Sequence, residues 1–237
     1  MKPILAVFSL VLIACSCGPI RNSTKYEFAN GHYTSKIFSQ QKERVYLVND
    51  EDFVLIYPLK RFAKILIVDT SKNSRVALPQ LFTDTEQKHY AFHKRSFDVD
   101  FLTIPFKYRP PIKSVPRQFN ANLNGGVYLG YRNDSYVVRY NKDPLGNYAR
   151  QTTHFGISMG GFVGLGGTAM NPWVSNDQIQ LEYDGLVWTK GIACIIGLDK
   201  ITIGLSMGWD HLLDQNKQLW IYQAKPWIGL VFGLNLN

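Results

Sequence analysis

The stretch His154-Phe-Gly-Ile-Ser-Met-Gly-Gly-Phe-Val-Gly-Leu-Gly-Gly167 divides in two when every second residue is taken. Phe155, Ile157, Met159, Val163 and Leu165 fall on one side, interrupted only by Gly161. His154, Gly156, Ser158, Gly160, Gly164 and Gly166 fall on the other, where Phe162 is the one large residue. Strand side chains alternate between faces, so this is a strand with one apolar face and one small or polar face. Glycine weakens a strand interior and commonly marks a bend or a close approach of backbones. So many on one side predict a long, sharply curved strand whose concave face is crowded.

The pattern recurs in four further segments. In Phe119–Tyr131, Ala121, Leu123, Val127, Leu129 and Tyr131 oppose Asn120, Asn122, Asn124, Gly126, Tyr128 and Gly130. In Gln178–Val187, Ile179, Leu181, Tyr183 and Val187 oppose Gln178, Gln180, Glu182 and Asp184. Ile201, Ile203, Leu205, Met207 and Trp209 oppose Thr202, Gly204, Ser206, Gly208 and Asp210. Near the C-terminus, Ile228, Leu230, Phe232, Leu234 and Leu236 oppose Gly229, Val231, Gly233, Asn235 and Asn237. A soluble sandwich buries its apolar face and covers the other with Lys, Glu and Thr. Here the second face is too poor in Lys and Glu to be a solvated exterior. The pattern predicts an inside-out arrangement, with large residues toward lipid and small or polar ones toward a confined lumen.

The predicted fold is all-β: a transmembrane antiparallel β-barrel of about eight strands over 98–237, preceded by a small β-rich domain over 26–97. The barrel strands are read at 98–109, 118–131, 135–141, 150–167, 177–187, 191–198, 201–210 and 220–236. The links 110–117, 142–149 and 211–219 are then expected at one end, and 132–134 and 199–200 at the other. Tyr108, Tyr131, Tyr183, Trp188, Trp209, Trp220 and Trp227 suit aromatic girdles at the two interfaces. The mean hydropathy of −0.12 does not oppose this, because alternating strands average out in a sliding window. Upstream, Asn30-Gly31 is a hairpin signal, Asn49-Asp50-Glu51-Asp52 a solvated acidic turn, and Lys88–Arg95 a polar connector.

Several charges share the lumen parity. Lys107 and Arg109 lie opposite Leu102, Ile104, Phe106 and Tyr108, and Glu182, Asp184 and Asp210 lie on inward faces. An unpaired charge in a confined lumen is costly. These five are therefore read as an interior cluster of mutually paired charges that fills the barrel. A polar ligand or proton path and carboxylate acid–base chemistry are the sharper alternatives. His154, Ser158 and Glu182 contain the residue types of a nucleophilic triad. However, residues four apart in a strand lie roughly 13 Å apart, beyond hydrogen-bond reach. Gly164-Leu-Gly-Gly167 is followed by no helix that could hold a phosphate, and no cofactor is expected. The chain's 26 Lys and Arg against 18 Asp and Glu are scattered, which does not suit nucleic-acid binding. No Cys/His spacing suits zinc.

The N-terminus, Met-Lys-Pro-Ile-Leu-Ala-Val-Phe-Ser-Leu-Val-Leu-Ile-Ala-Cys15, has one Lys and then an apolar run of signal-peptide length. Leu12-Ile13-Ala14-Cys15 resembles the lipobox of bacterial lipoproteins. That resemblance implies cleavage of residues 1–14, acylation of Cys15 and a short tether over 15–25. Residues 98–237, with Ile104-Pro-Phe-Lys-Tyr-Arg109, Glu182-Tyr-Asp-Gly185 and Lys225-Pro-Trp227, resemble the small outer-membrane β-barrels of Gram-negative bacteria. The resemblance implies an outer-membrane location, a periplasmic position for residues 26–97, and outer-membrane lipid as a partner. It carries no activity. The chain departs from the many such barrels that end on an aromatic residue, since it closes on Asn-Leu-Asn. The leading expectation is a non-enzymatic structural or accessory component of an envelope complex, with other envelope proteins as partners. The alternatives are a soluble lipid-tethered ligand-binding barrel and a barrel enzyme acting on envelope lipid.

Overall fold

A computed structural model of the protein describes residues 28–50, 52–62, 65–71, 74–82, 89–112, 115–142, 144, 146–198 and 201–235. The expected signal segment 1–14 and the tether 15–25, with Cys15, lie outside the described residues. The structure is all-β, built on a large antiparallel sheet. Short strands come first: Gly31–Ser35 (β1), Glu43–Asn49 (β2), Phe53–Phe62 (β3), Ile65–Val68 (β4), Val76–Pro79 (β5) and Leu81–Phe82 (β6). Long ones follow: Tyr90–Arg109 (β7), Asn124–Lys142 (β9), Tyr148–Met170 (β10), Tyr183–Leu198 (β11), Ile201–Leu212 (β12) and Pro226–Asn235 (β13), with the short Gln118–Asn120 (β8) between the first two.

The long strands pair in a circuit. β7 pairs with β9, β9 with β10, β10 with β11, β11 with β12, β12 with β13, and β13 returns to β7. Six strands therefore stand where parity predicts about eight. Two expected turns are absent. β9 runs unbroken through 132–134 and β11 through 188–190. Asn133-Asp134 reads as a turn signal. Instead Asp134 is buried on the same face as Asn124 and Tyr128, and the alternation passes through it.

The six-strand count also regularises the connections. The segments between β7 and β9, β10 and β11, and β12 and β13 are long and lie at one end, the far end. The 143–147 and 199–200 connections are short and lie at the other, near end. The 142–149 link, expected on the long-loop side, thus belongs with the short ones.

The short strands do not form a separate domain. β1 pairs with β7 at Thr34–His93 and Ser35–Phe92, continuing the wall beyond the end of β13. From there β1 pairs with β2, β2 with β3 and β3 with β5, while β6 pairs with β10. This second circuit shares β7, β9 and β10 with the first and encloses Tyr33, Leu47, Ile56, Phe92, Tyr136 and Val138. The expected boundary at 97/98 falls in the middle of β7. The expected connector Lys88–Arg95 mostly becomes the start of that strand, because Phe92 is apolar on the buried side.

The opening stretch sits in β10 with the faces that alternation predicts. Phe155, Ile157, Met159, Val163 and Leu165 are exposed, whereas His154, Ser158 and Phe162 are buried. The same holds for Ile203, Leu205 and Met207 against Ser206 and Asp210. Parity misleads in two places. Leu102 and Ile104, expected outside, are buried, because a bulge between Leu230 and Phe232 places Ile104 and Pro105 opposite one residue of β13. Pro105 lacks an N–H, which suits a bulge, and the shift lets Leu102 and Lys107 share the interior. In β11, Leu186 and Trp188 face out, so Val187 turns inward and Asp184 outward.

Candidate functional site: the filled interior

The interior of the long-strand circuit has three layers. Toward the far end, Asp210, 0% exposed, is the centre of a charge cluster. It accepts from Lys107 Nζ at 2.9 Å, from Arg109 Nη2 at 2.5 Å and from Trp227 Nε1 at 2.9 Å. Lys107 also donates to Asn124 Oδ1 at 2.8 Å and lies 4.3 Å from the centre of the Trp227 ring. The Arg109 guanidinium lies 5.0 Å from the Trp220 ring and 5.1 Å from the Tyr222 ring. Two cations on one carboxylate leave an excess positive charge, and the electron-rich faces of these rings oppose it. Trp220 and Trp227 are thus interior partners of cations, not girdle residues. Trp220 and Tyr222 also pack with Met170, Val174, Val187 and Leu212, so the long connections close the far end with an apolar cluster.

Below that lies an apolar layer of Leu102, Ile104, Phe162, Ile195 and Val231, with Tyr128 donating to or accepting from Ser158 Oγ at 2.8 Å. Asp98 and Asp100 are buried on the same side of β7. Toward the near end, Asp134 Oδ1 accepts from Arg132 Nε at 2.7 Å and lies 2.7 Å from His154 Nε2. Tyr136 packs on His154 at 4.8 Å between ring centres, which joins this cluster to the core of the second circuit. Within that core, burial first and the Asp134 carboxylate second hold the Tyr33 phenol well above its usual pKa, and its hydroxyl donates to the Ala29 carbonyl at 2.7 Å.

Of the five charges expected to meet, the structure brings together Lys107, Arg109 and Asp210. Glu182 precedes β11 and is exposed, and Asp184 faces outward from its first turn of pleat. The expected strand 177–187 begins only at Tyr183, and its faces are set by Leu186 and Trp188, opposite to those that Ile179 and Leu181 suggest. Asp98, Asp100, Arg132 and Asp134 are interior charges that the reading by segments misses. A continuous β9 would have revealed two of them, since Arg132 and Asp134 share the parity of Tyr128. His154 and Ser158 do not meet. One bonds Asp134 and the other Tyr128, and Glu182 lies near neither.

Such an interior holds neighbouring strands in register and excludes solvent. Among the described residues no three His, Cys, Asp or Glu side chains group as a metal site. Comparison with protein families, with curated proteins and with solved structures found no match.

Proposed function

We propose that the chain is an outer-membrane lipoprotein whose six long strands close into a barrel with a side-chain-filled lumen, serving as a non-enzymatic structural or accessory part of an envelope assembly. One observation carries the reading: the six strands expose a band of large apolar side chains while burying ion-paired charges inside. Met159 is 67% exposed and Leu205 59%, while Lys107, Arg109 and Asp210 are 2% or less. Leaving such a band in water is unfavourable at roughly 25 cal/mol per Å² of apolar area. Lipid removes that cost. The pairing of β13 with β7 supports closure, leaving no open edge among the long strands. On β10 the apolar run from Phe155 to Leu165 has about the length of one crossing. Long connections at one end and short ones at the other follow the usual asymmetry of such barrels.

Lys190 is the one cation in the middle of the outward face of β11, and its ammonium lies 4.9 Å from the Trp188 ring, directed toward the far end. That is how a long cationic side chain reaches an interface from within an apolar band. A lipocalin-like binder would need an inward apolar cavity, and the interior here is occupied.

Outer-membrane fractions run without boiling should give a faster-migrating band that shifts on heating, and the purified barrel should be silent in planar bilayers. Mature protein that stays soluble in buffer without detergent would overturn the membrane reading. Steady conductance would overturn the filled lumen.

A further inference from the structure

On the outer surface where β1 continues the wall below β13, a groove of about 700 Å³ opens between the barrel wall and the β3–β4 hairpin. Among the described residues its lining carries Lys42, Arg44, His93, Lys94 and Arg95 and no carboxylate. A second hollow of about 440 Å³ shares Lys42 and His93 and adds Lys36. Glu43, the nearest acid in sequence, takes the Ser39 hydroxyl at 2.5 Å. Burial first and the Lys42 ammonium second lower the pKa of His93, as expected where positive charge is not balanced locally.

The groove stands at the edge of the apolar band. Arg95 pairs with Asn133 across β7 and β9, and the next outward pair along the wall is Phe97 with Tyr131, 66% and 57% exposed. Leu59 and Leu66 form an apolar side of the groove. The hairpin end beyond them exposes Phe62, Ile65 and Ile67. Cations at the level where the apolar wall begins match the layering of a lipid monolayer: phosphate, then acyl chain.

Resting on the membrane reading above, we infer that this groove binds an anionic glycerophospholipid of the near leaflet, its phosphate among Arg44, His93 and Arg95 and its acyl chains toward Phe97 and Tyr131.

The full mature protein, folded in neutral maltoside micelles, would be titrated with phosphatidylglycerol, phosphatidylcholine and inorganic phosphate, with bound lipid counted by native mass spectrometry. Phosphatidylglycerol is expected to bind at least about tenfold more tightly than phosphatidylcholine. The combined variant Arg44→Gln, His93→Gln, Arg95→Gln is expected to lose that preference while keeping heat-modifiable migration. Arg44→Gln alone, at an exposed side chain, should weaken phosphatidylglycerol several-fold if the combined variant does not fold. Unchanged phosphatidylglycerol binding in either folded variant overturns the inference. So does full displacement of the lipid by inorganic phosphate at equal concentration, which would make the groove a site for free anions. Loss of heat-modifiability in the wild type would instead sink the membrane reading, so the two failures are distinct.

Discussion

Asp210 accepts from three interior side chains at once, Lys107, Arg109 and Trp227. Replacing it with Ala leaves the Lys107 and Arg109 cations buried with no carboxylate between them. Removing one partner of a buried ion pair typically costs about 3–5 kcal/mol. Asp210→Ala should therefore lower the urea midpoint of the barrel in lipid vesicles markedly, read by tryptophan fluorescence, with Trp227 itself reporting on the site. A loss below about 1 kcal/mol would mean that the cations find other partners or water. Parity alone made this cluster legible, since Lys107, Arg109 and Asp210 each lie opposite an apolar row. It failed for Glu182 and Asp184 because the start of β11 cannot be read from Ile179 and Leu181. Those residues look like strand and lie in the connection, where Ile179 packs against the far-end cluster.

At the scale of one strand, the glycines of β10 have two different jobs. Gly160 faces inward, where a Cβ would press on the Leu129 carbonyl and the Gly130 Cα of the adjoining strand. Its neighbour Gly161 faces out, where a Cβ would meet only the Gly191 carbonyl oxygen at 3.6 Å, an ordinary contact. Gly160→Leu should cost about 1–3 kcal/mol or more through overpacking. Gly161→Leu should stay within about 0.5 kcal/mol. Paired unfolding curves for the two variants test this, and equal effects would contradict the assignment of faces. Leu205→Arg belongs beside them. A cation placed outward at mid-band should cost about 2–4 kcal/mol against lipid, and a neutral outcome would speak for a solvated wall. The faces of β10, β12 and β13 were plain in the sequence because large apolar residues alternate there with Gly and Ser. The lengths of β9 and β11 were not. Asn133-Asp134 and Thr189-Lys190 look like local turn chemistry, while the pairing that keeps them extended is non-local, with Gly156 and Ile157 in one case and Gly164, Val163, Trp209 and Asp210 in the other.

For the whole molecule, the two pairing circuits share β7, β9 and β10, so the apolar band and the near-end core form one continuous structure. This coupling is invisible in sequence, because β1 meets β7 through contacts about sixty residues apart and the boundary between the halves lies inside a strand. It also makes the two ends distinguishable. Lys142, at the end of β9, lies on the side of the second circuit, whereas Lys217 lies in the far-end connection. If the near end is periplasmic, Lys217→Cys should react with a membrane-impermeant maleimide on intact cells, and Lys142→Cys only after the outer membrane is permeabilised. Cys194, half-exposed on the outward face of β11, and Cys17 in the expected tether would first be changed to Ser to remove background. Both positions are exposed and outside the apolar band, so neither substitution should disturb assembly. Labelling of Lys142→Cys on intact cells with protection of Lys217→Cys would invert the barrel and place the basic groove at the outer leaflet. Labelling of both on intact cells would mean that the chain does not separate two compartments.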